Sequence, residues 1–242
     1  MLIVAALQDE IRELKNRSAI DCTIHFKPAT FYNARYFDKD FNLLVTGIGS
    51  ARAKKGLKEA IGHQRPSSIL FVGYAGGASP LAGLGCLVLA ERVVDGFGEK
   101  EFASDKELLK IAKKLLEEKK IAHQVGGLVT VDRIVSDPHA KADLGAVHGA
   151  LALDMEAAAI AEIASENKIP FLMVKSILDS VEITLPNLED CIEPEGGTRP
   201  LMVMEHLIKS PGDVMKLPQL HYCATQARLS LAQFLEGWIQ SV

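Results

Sequence analysis

Five short runs of apolar and β-branched residues each end on a glycine pair or an acid, and this repeated ending most limits what the chain can fold into. Met1–Leu7 runs into Gln8-Asp9-Glu10, and Asn42–Thr46 into Gly47-Ile48-Gly49. Ser68–Val72 runs into Gly73-Tyr74-Ala75-Gly76-Gly77, and Phe171–Leu178 into Asp179-Ser180. Ala150–Leu153 runs into Asp154-Met155-Glu156. Such runs read as buried strands, and the segments between them carry helical periodicity. Alternation of the two favours one α/β domain around a mainly parallel, mixed sheet. The back-to-back strands at 23–46 and 85–94 predict a sheet that curls toward a barrel, flanked by helices. In open α/β sheets ligands gather at the carboxyl ends of strands, so the five endings together define a candidate site.

Local signals set the expected boundaries. A helix is expected from Asp9 to about Arg17, and a pair of strands over 23–37 with a turn at Asn33. Ser50 is the expected N-cap of a helix Ala51–His63. Ser104-Asp105-Lys106-Glu107 has capping-box spacing before a helix to about Lys120, and Asp137-Pro138 has the chemistry of a helix start. A helix from Asp154 to Asn167 is apolar on nearly every side, which predicts burial. The segment 182–211 holds most of the turn residues, with one short helix expected near Pro200–Lys209. A last helix is expected from about Asp213 to Trp238, interrupted near Pro218. No repeat or linker divides the 242 residues. They read as one domain whose part 182–242 is a divergent loop and C-terminal helix region.

Composition removes several function classes. The net charge, 27 − 31 = −4, lacks the basic excess of a nucleic-acid binder. Met1–Leu7 is too short for a signal peptide, and no apolar run reaches the ~18 residues of a membrane span, so a cytoplasmic protein without stable membrane insertion is expected. Cys22, Cys86, Cys191 and Cys223 have neither metal-ligand spacing nor the density of a disulfide scaffold. The seven histidines form no ligand pattern, so no metal and no organic cofactor is expected. There is no Gly-x-Ser-x-Gly elbow.

Each remaining candidate has two readings. Gly73–Gly77 either lets backbone N–H groups approach a ligand or makes a tight turn. Gly47-Ile48-Gly49 is either a ligand contact or a strand-to-helix turn. Glu10, at a helix N-terminus, is either a base toward water or a surface acid. Glu156 sits in an apolar helix, where a carboxylate needs donors; ribose hydroxyls would serve, and so would an ion pair with Lys175 or Arg133. Asp154 reads as a helix N-cap. Asp179 ends an apolar strand, where a dry setting would raise its pKa and let it donate a proton; otherwise it is a cap.

The order of these motifs resembles the nucleoside phosphorylase and nucleosidase superfamily, nearest in type to methylthioadenosine/S-adenosylhomocysteine nucleosidases. The resemblance runs from Met1 to about Ser180. It rests most on Ala152-Leu-Asp-Met-Glu-Ala-Ala-Ala-Ile-Ala161 and Pro170-Phe-Leu-Met-Val-Lys-Ser-Ile-Leu-Asp179. The prolines and helices after Thr184 are similar to a hopanoid-associated branch, thought to remove adenine from adenosylhopane. The resemblance implies cleavage of the N-glycosidic bond of a 5′-substituted purine nucleoside. Asp179 would protonate purine N7, and Glu10 would position the attacking water. Glu156 would bind the ribose hydroxyls with Met155 beside the sugar. Gly76 and Gly77 would line the sugar and nucleophile end, and the stretch from Val131 through Ile134 to Val135 would flank the base. Tyr74, Ile134, Leu178 and Lys175 depart from the family's usual residues. Phosphorylases gather arginines around their dianionic co-substrate; the strand Ile69–Val72 has none, though Arg12 and Arg52 stand near strand ends. Hydrolysis is therefore expected, with phosphorolysis (phosphate as co-substrate) or a silent nucleoside-binding protein as alternatives. A homodimer is also implied.

Overall fold

A computed structural model describes residues 1–96, 100–182 and 217–241. Its strands are β1 (Leu2–Ala5), β2 (Ala19–His25), β3 (Thr30–Tyr36), β4 (Lys39–Val45), β5 (Ile69–Gly77), β6 (Leu87–Asp95), β7 (Glu101–Ala103), β8 (His123–Thr130), β9 (Ala150–Asp154) and β10 (Phe171–Asp179). Its helices are α1 (Arg12–Arg17), preceded by a 3-10 turn at Asp9–Ile11, α2 (Ser50–His63), α3 (Lys106–Glu118), α4 (Pro138–His148), α5 (Ala157–Glu166) and α6 (Leu217–Ser241).

The strand order is β10-β6-β8-β9-β5-β1-β4-β3-β2, and β10 also pairs with β5. That second pairing closes β5, β10, β6, β8 and β9 into a five-stranded ring. Two of its joints, β10 with β6 and β5 with β9, are antiparallel; the others are parallel. The curled, mixed sheet expected from the back-to-back strands is thus a closed barrel. From its β5 side the sheet continues as an open wing through β1 to the β4-β3-β2 meander.

Period-two alternation sends neighbouring residues to opposite faces. Leu2 and Val4 of β1, with Phe171 and Met173 of β10, join the cluster that packs Leu57, Ala60, Ile160 and Ile163 of α2 and α5. Ile3, Leu172 and Val174 join the cluster of Leu14, Leu116, Phe234 and Trp238 from α1, α3 and α6. Trp238 is buried and its Nε1 donates to Met1 Sδ at 3.0 Å. Truncating such a residue to alanine costs about 3–5 kcal/mol. The apolar segment 157–164 is buried on nearly every side, as its composition requires.

Several boundaries differ from the sequence reading. Asn33 is no turn residue: it lies inside β3, and its Nδ2 donates to Asn42 Oδ1 of β4 at 2.9 Å. Ser50 does not cap α2. Gly49 holds the cap position at φ +99°, a left-handed conformation that suits glycine, and Ser50 Oγ donates instead to the Met155 carbonyl at 2.8 Å. Asp105 displaces Ser104 as the cap of α3, because its carboxylate accepts from the N–H groups of both Glu107 and Leu108. Asp137 does cap α4, with Pro138 in the first turn. Pro218 is the second residue of α6, and the expected helical residues 213–216 before it lie outside the described residues. The expected helix near Pro200–Lys209 lies outside the described residues, as does nearly all of segment 182–211. Among the described residues no helix is long and apolar enough to cross a membrane.

Candidate active site

The glycine segment is strand, not loop. Gly73, Gly76 and Gly77 all lie in β5, which rules out the tight turn, and Gly76 lines the cavity described below. The need for glycine comes from neighbours. A Cβ on Gly73 would stand 2.7 Å from Glu10 Oε1 and 3.1 Å from Lys175 Nζ. A Cβ on Gly76 would stand 3.5 Å from Asp179 Oδ1. The missing side chain of Gly73 makes room for Glu10, whereas the Gly76 approach to Asp179 is ordinary contact.

Glu10 is held by backbone alone among its hydrogen-bond partners here. Its Oε2 accepts from the N–H groups of Ala6 at 2.9 Å and Leu7 at 2.8 Å, and its Oε1 from that of Tyr74 at 2.8 Å. The chain doubles back through the 3-10 turn to make this cradle, which fixes the carboxylate at the ends of β1 and β5. Glu10 is buried, so the surface-acid reading is wrong. Burial pushes its pKa up, while Lys175 and the three N–H groups pull the other way.

Glu156 precedes α5 and accepts the Gly49 N–H at 2.7 Å through Oε1. The ion pair considered for it belongs instead to Asp154, whose Oδ2 lies 3.0 Å from Lys175 Nζ. Asp154 also accepts from the Ala157 N–H at 2.9 Å and from Thr130 Oγ1 at 2.8 Å. The N-cap position of α5 is nonetheless that of Glu156, a correction to the expected cap; Asp154, at the end of β9, receives the first N–H of the helix and anchors a buried lysine. Lys175 is fully enclosed, with its ammonium 3.7 Å from the centre of the Phe71 ring. Burial, and then the charge of Asp154, raise the Glu156 pKa to about 7.

Asp179 ends β10 beside Gly76 of β5. Burial pushes its pKa up to about 6, against the lowering effect of a neighbouring ammonium. That ammonium is Lys141 of α4, fully buried and donating to Asp179 Oδ2. Nothing in the sequence marks Lys141: α4 has almost no apolar stripe, so its lysine reads as one more surface charge.

Glu10, Glu156 and Asp179, with Asp154 as a fourth carboxylate, line one cavity of about 260 Å3. Gly76 and Met155 line it too, with Val131, Ile134 and Val135 along one wall and Arg133 among them. Ile134 remains 44% exposed, which places it toward the mouth. Gly77 is a correction: it is absent from the lining, and a Cβ there would press at 3.1 Å on the Ala82 carbonyl oxygen and the Val181 nitrogen. Its small size serves backbone packing. Residues not singled out from the sequence complete the walls, namely Leu7, Ile48, Leu153 and Leu220. Tyr74 also lines the cavity and ties it to the surface, its hydroxyl donating to Asp9 Oδ2 at 2.6 Å. Asp9 meets Arg12 at 3.0 Å and Arg228 of α6 at 3.5 Å. Neither Arg12 nor Arg52 lines the cavity. Among the described residues no group of three His, Cys, Asp or Glu side chains is placed to hold a metal ion.

The comparison with known proteins now has a geometry to meet. The family model of the Phosphorylase superfamily matches residues 1–195. The chain belongs to the Phosphorylase superfamily. A 5'-methylthioadenosine/S-adenosylhomocysteine nucleosidase of Tolumonas auensis is 24% identical over 223 aligned positions, covering 85% of this chain and 97% of the relative. One from Staphylococcus saprophyticus is 25% identical, covering 73% of this chain and 85% of the relative. The Neisseria meningitidis nucleosidase, solved with methylthio-immucillin-A, superposes with a TM-score of 0.78 at 20% identity, covering 100% of this chain and 98% of that one. Futalosine hydrolase of Helicobacter pylori gives 0.79 at 18% identity, covering 100% and 97%. For this member of the superfamily those likenesses establish the fold: one α/β domain around a closed, mixed barrel.

Proposed function

We propose that this protein is a purine nucleosidase, hydrolysing the N-glycosidic bond of an adenine nucleoside that carries a 5′ substituent. The observation that carries the reading is the convergence of Glu10, Glu156 and Asp179, all buried, on one small and otherwise largely apolar cavity. Glycosidic cleavage passes through an oxocarbenium-like sugar. An acid that protonates the departing base and a carboxylate that holds the sugar help most in that state, so they raise the rate rather than merely the affinity. Asp179 is the proton donor, since burial favours its neutral form. Glu156 accepts hydrogen bonds from the ribose hydroxyls. Glu10, held by three N–H donors, orients water at the opposite end. Val131 and Ile134 flank the base, and Met155 lies beside the sugar. No metal or organic cofactor takes part.

Water rather than phosphate is supported by charge. Glu10 would repel a phosphate dianion, and among the described residues Arg133 is the one arginine in the lining, where a dianion would call for several. A strongly apolar 5′ group, as in adenosylhopane, is supported by Leu7, Ile48, Leu178 and Leu220 in the walls; each methylene buried there contributes about 0.8 kcal/mol. A series of 5′-alkylthioadenosines tests this: KM falls as the chain lengthens, and a steady rise contradicts it. We extend the reading to a homodimer. Sedimentation at micromolar concentration tests it, and a sole species at 26.2 kDa would refute it.

A further inference from the structure

The buried ammonium of Lys141 is a charged group in contact with the proposed acid that the proposed chemistry leaves without work. It comes from α4, whose start is fixed by the Asp137 cap, and it reaches β10 from across the barrel mouth. An ammonium at 0% exposure is costly to desolvate, and that cost is offset only where an anion and further hydrogen bonds receive it. Its contact with Asp179 is one-sided. Lys141 donates to Oδ2, whereas Oδ1 is the oxygen nearest Gly76, where a missing Cβ leaves the cavity open.

We propose that Lys141 is a positioning residue for proton delivery: it holds Asp179 by Oδ2, presents Oδ1 to the leaving base, and neutralises the carboxylate that forms when the proton departs. This rests on the reading of Asp179 as the acid. In the step, the Asp179 O–H bond breaks as N7–H forms. The C1′–N9 bond breaks with its electron pair going to the base, and Lys141 remains an ammonium throughout. A cation beside a carboxylate favours the ionised form, so Lys141 makes Asp179 a stronger acid than burial alone would leave it. Among the described residues, the other ionisable groups facing this region are Glu10 from the 3-10 turn, Tyr74 of β5, Asp154 at the end of β9, Glu156 just before α5, and Arg133 of the 131–136 wall. The Cys223 thiol of α6 feels Asp179 as well, its own pKa being pushed up by burial first and by that charge second. Among them and Lys141, it is Lys141 that hydrogen-bonds the Asp179 carboxylate.

The test is the pH profile of kcat/KM for adenine release by the full chain. In the wild type the rate declines above about pH 6, where Asp179 loses its proton. Lys141→Met should move this limb upward by one pH unit or more and lower kcat tenfold or more. Lys141→Arg, which restores a charge, should return the limb toward the wild-type position. A folded Lys141→Met enzyme with an unmoved limb overturns the proposal. Should the single variant fail to fold, the Asp179→Asn/Lys141→Met pair, which removes both charges, replaces it. Its kcat should match Asp179→Asn alone within twofold, and a further tenfold loss overturns the proposal. If Asp179→Asn itself keeps full activity, it is the assignment of the acid that fails, whatever Lys141 does.

Discussion

The two ends of the cavity hold their carboxylates by opposite means. Glu10 is gripped by three backbone N–H groups, those of Ala6 and Leu7 just after β1 and of Tyr74 in β5, at the junction of the open wing with the barrel. Asp179 is gripped by one side chain, Lys141, from a helix far away in sequence. A backbone cradle persists as long as the strands do, and no substitution short of breaking the fold removes its donors. A side-chain partner is removed by a single codon. The Glu10 end is therefore built for fixed geometry and the Asp179 end for a tunable charge, which matches a water-orienting group on one side and a proton donor on the other.

The largest expected effect is at the tunable end. Asp179→Asn, nearly isosteric, should lower kcat by ~10²-fold or more with folding retained, measured as adenine release. Near-wild-type turnover would remove the distinction between the ends. Glu10→Gln should also lower kcat, by roughly 10²-fold, but with a loss of thermal stability that Asp179→Asn does not share, because an amide NH2 cannot accept from the N–H groups that now bind both oxygens. Equal melting temperatures for the two variants would contradict the backbone-cradle account. Gly73→Ala sharpens the same point without touching an acid. Its Cβ would meet Glu10 Oε1 at 2.7 Å, and overpacking of this kind costs about 1–3 kcal/mol, read in a urea melt.

Between the ends, Glu156 offers a pH test. Its folded pKa, near 7, lies above the ordinary carboxylate value, and that of Asp179 near 6 does likewise. A raised carboxylate pKa means the folded state holds its proton longer than the unfolded state. The stability is present below the unfolded pKa and is lost as pH rises through the folded one. The ligand-free protein should thus lose stability between about pH 4 and pH 7, and Glu156→Gln should flatten that decline. A wild-type melting temperature that climbs over this window would mean that both acids are better solvated than their burial implies. The smallest expected effect is at the mouth. Ile134→Phe places a ring beside the base and should lower KM by the ~0.5–1.5 kcal/mol of an aromatic contact; an unchanged KM would place the base elsewhere.

The same contrast explains what the sequence disclosed. Glu10, Glu156 and Asp179 were legible because each ends an apolar strand run or enters an apolar helix, and burial of a carboxylate there demands a reason. The barrel-like sheet was expected from back-to-back strands, yet of those only the 85–94 run, as β6, belongs to the ring; the strands of 23–46 form the open wing. Backbone detail was not legible: Gly73–Gly77 reads as a loop, because glycine's usual service is a turn, whereas here, at Gly73, it is room for Glu10 beside a strand. Ser50 and Ser104 carry capping side chains, but a glycine at positive φ and a carboxylate next door take those positions. Lys141 was invisible, since a partner approached across the barrel leaves no local pattern. Lys175 was legible as a candidate ion-pair partner, but its partner is Asp154 and not Glu156.

The central claim is hydrolytic release of adenine, and product identity tests it most directly. Purified protein should be incubated with methylthioadenosine and with longer 5′-alkyl adenosines, in phosphate-free buffer and again with phosphate. The account predicts free adenine and a free reducing sugar in equal amounts, at the same rate in both buffers, and abolished by Asp179→Asn. A strict phosphate requirement with a sugar 1-phosphate as product would contradict it, and so would tight nucleoside binding without any adenine release.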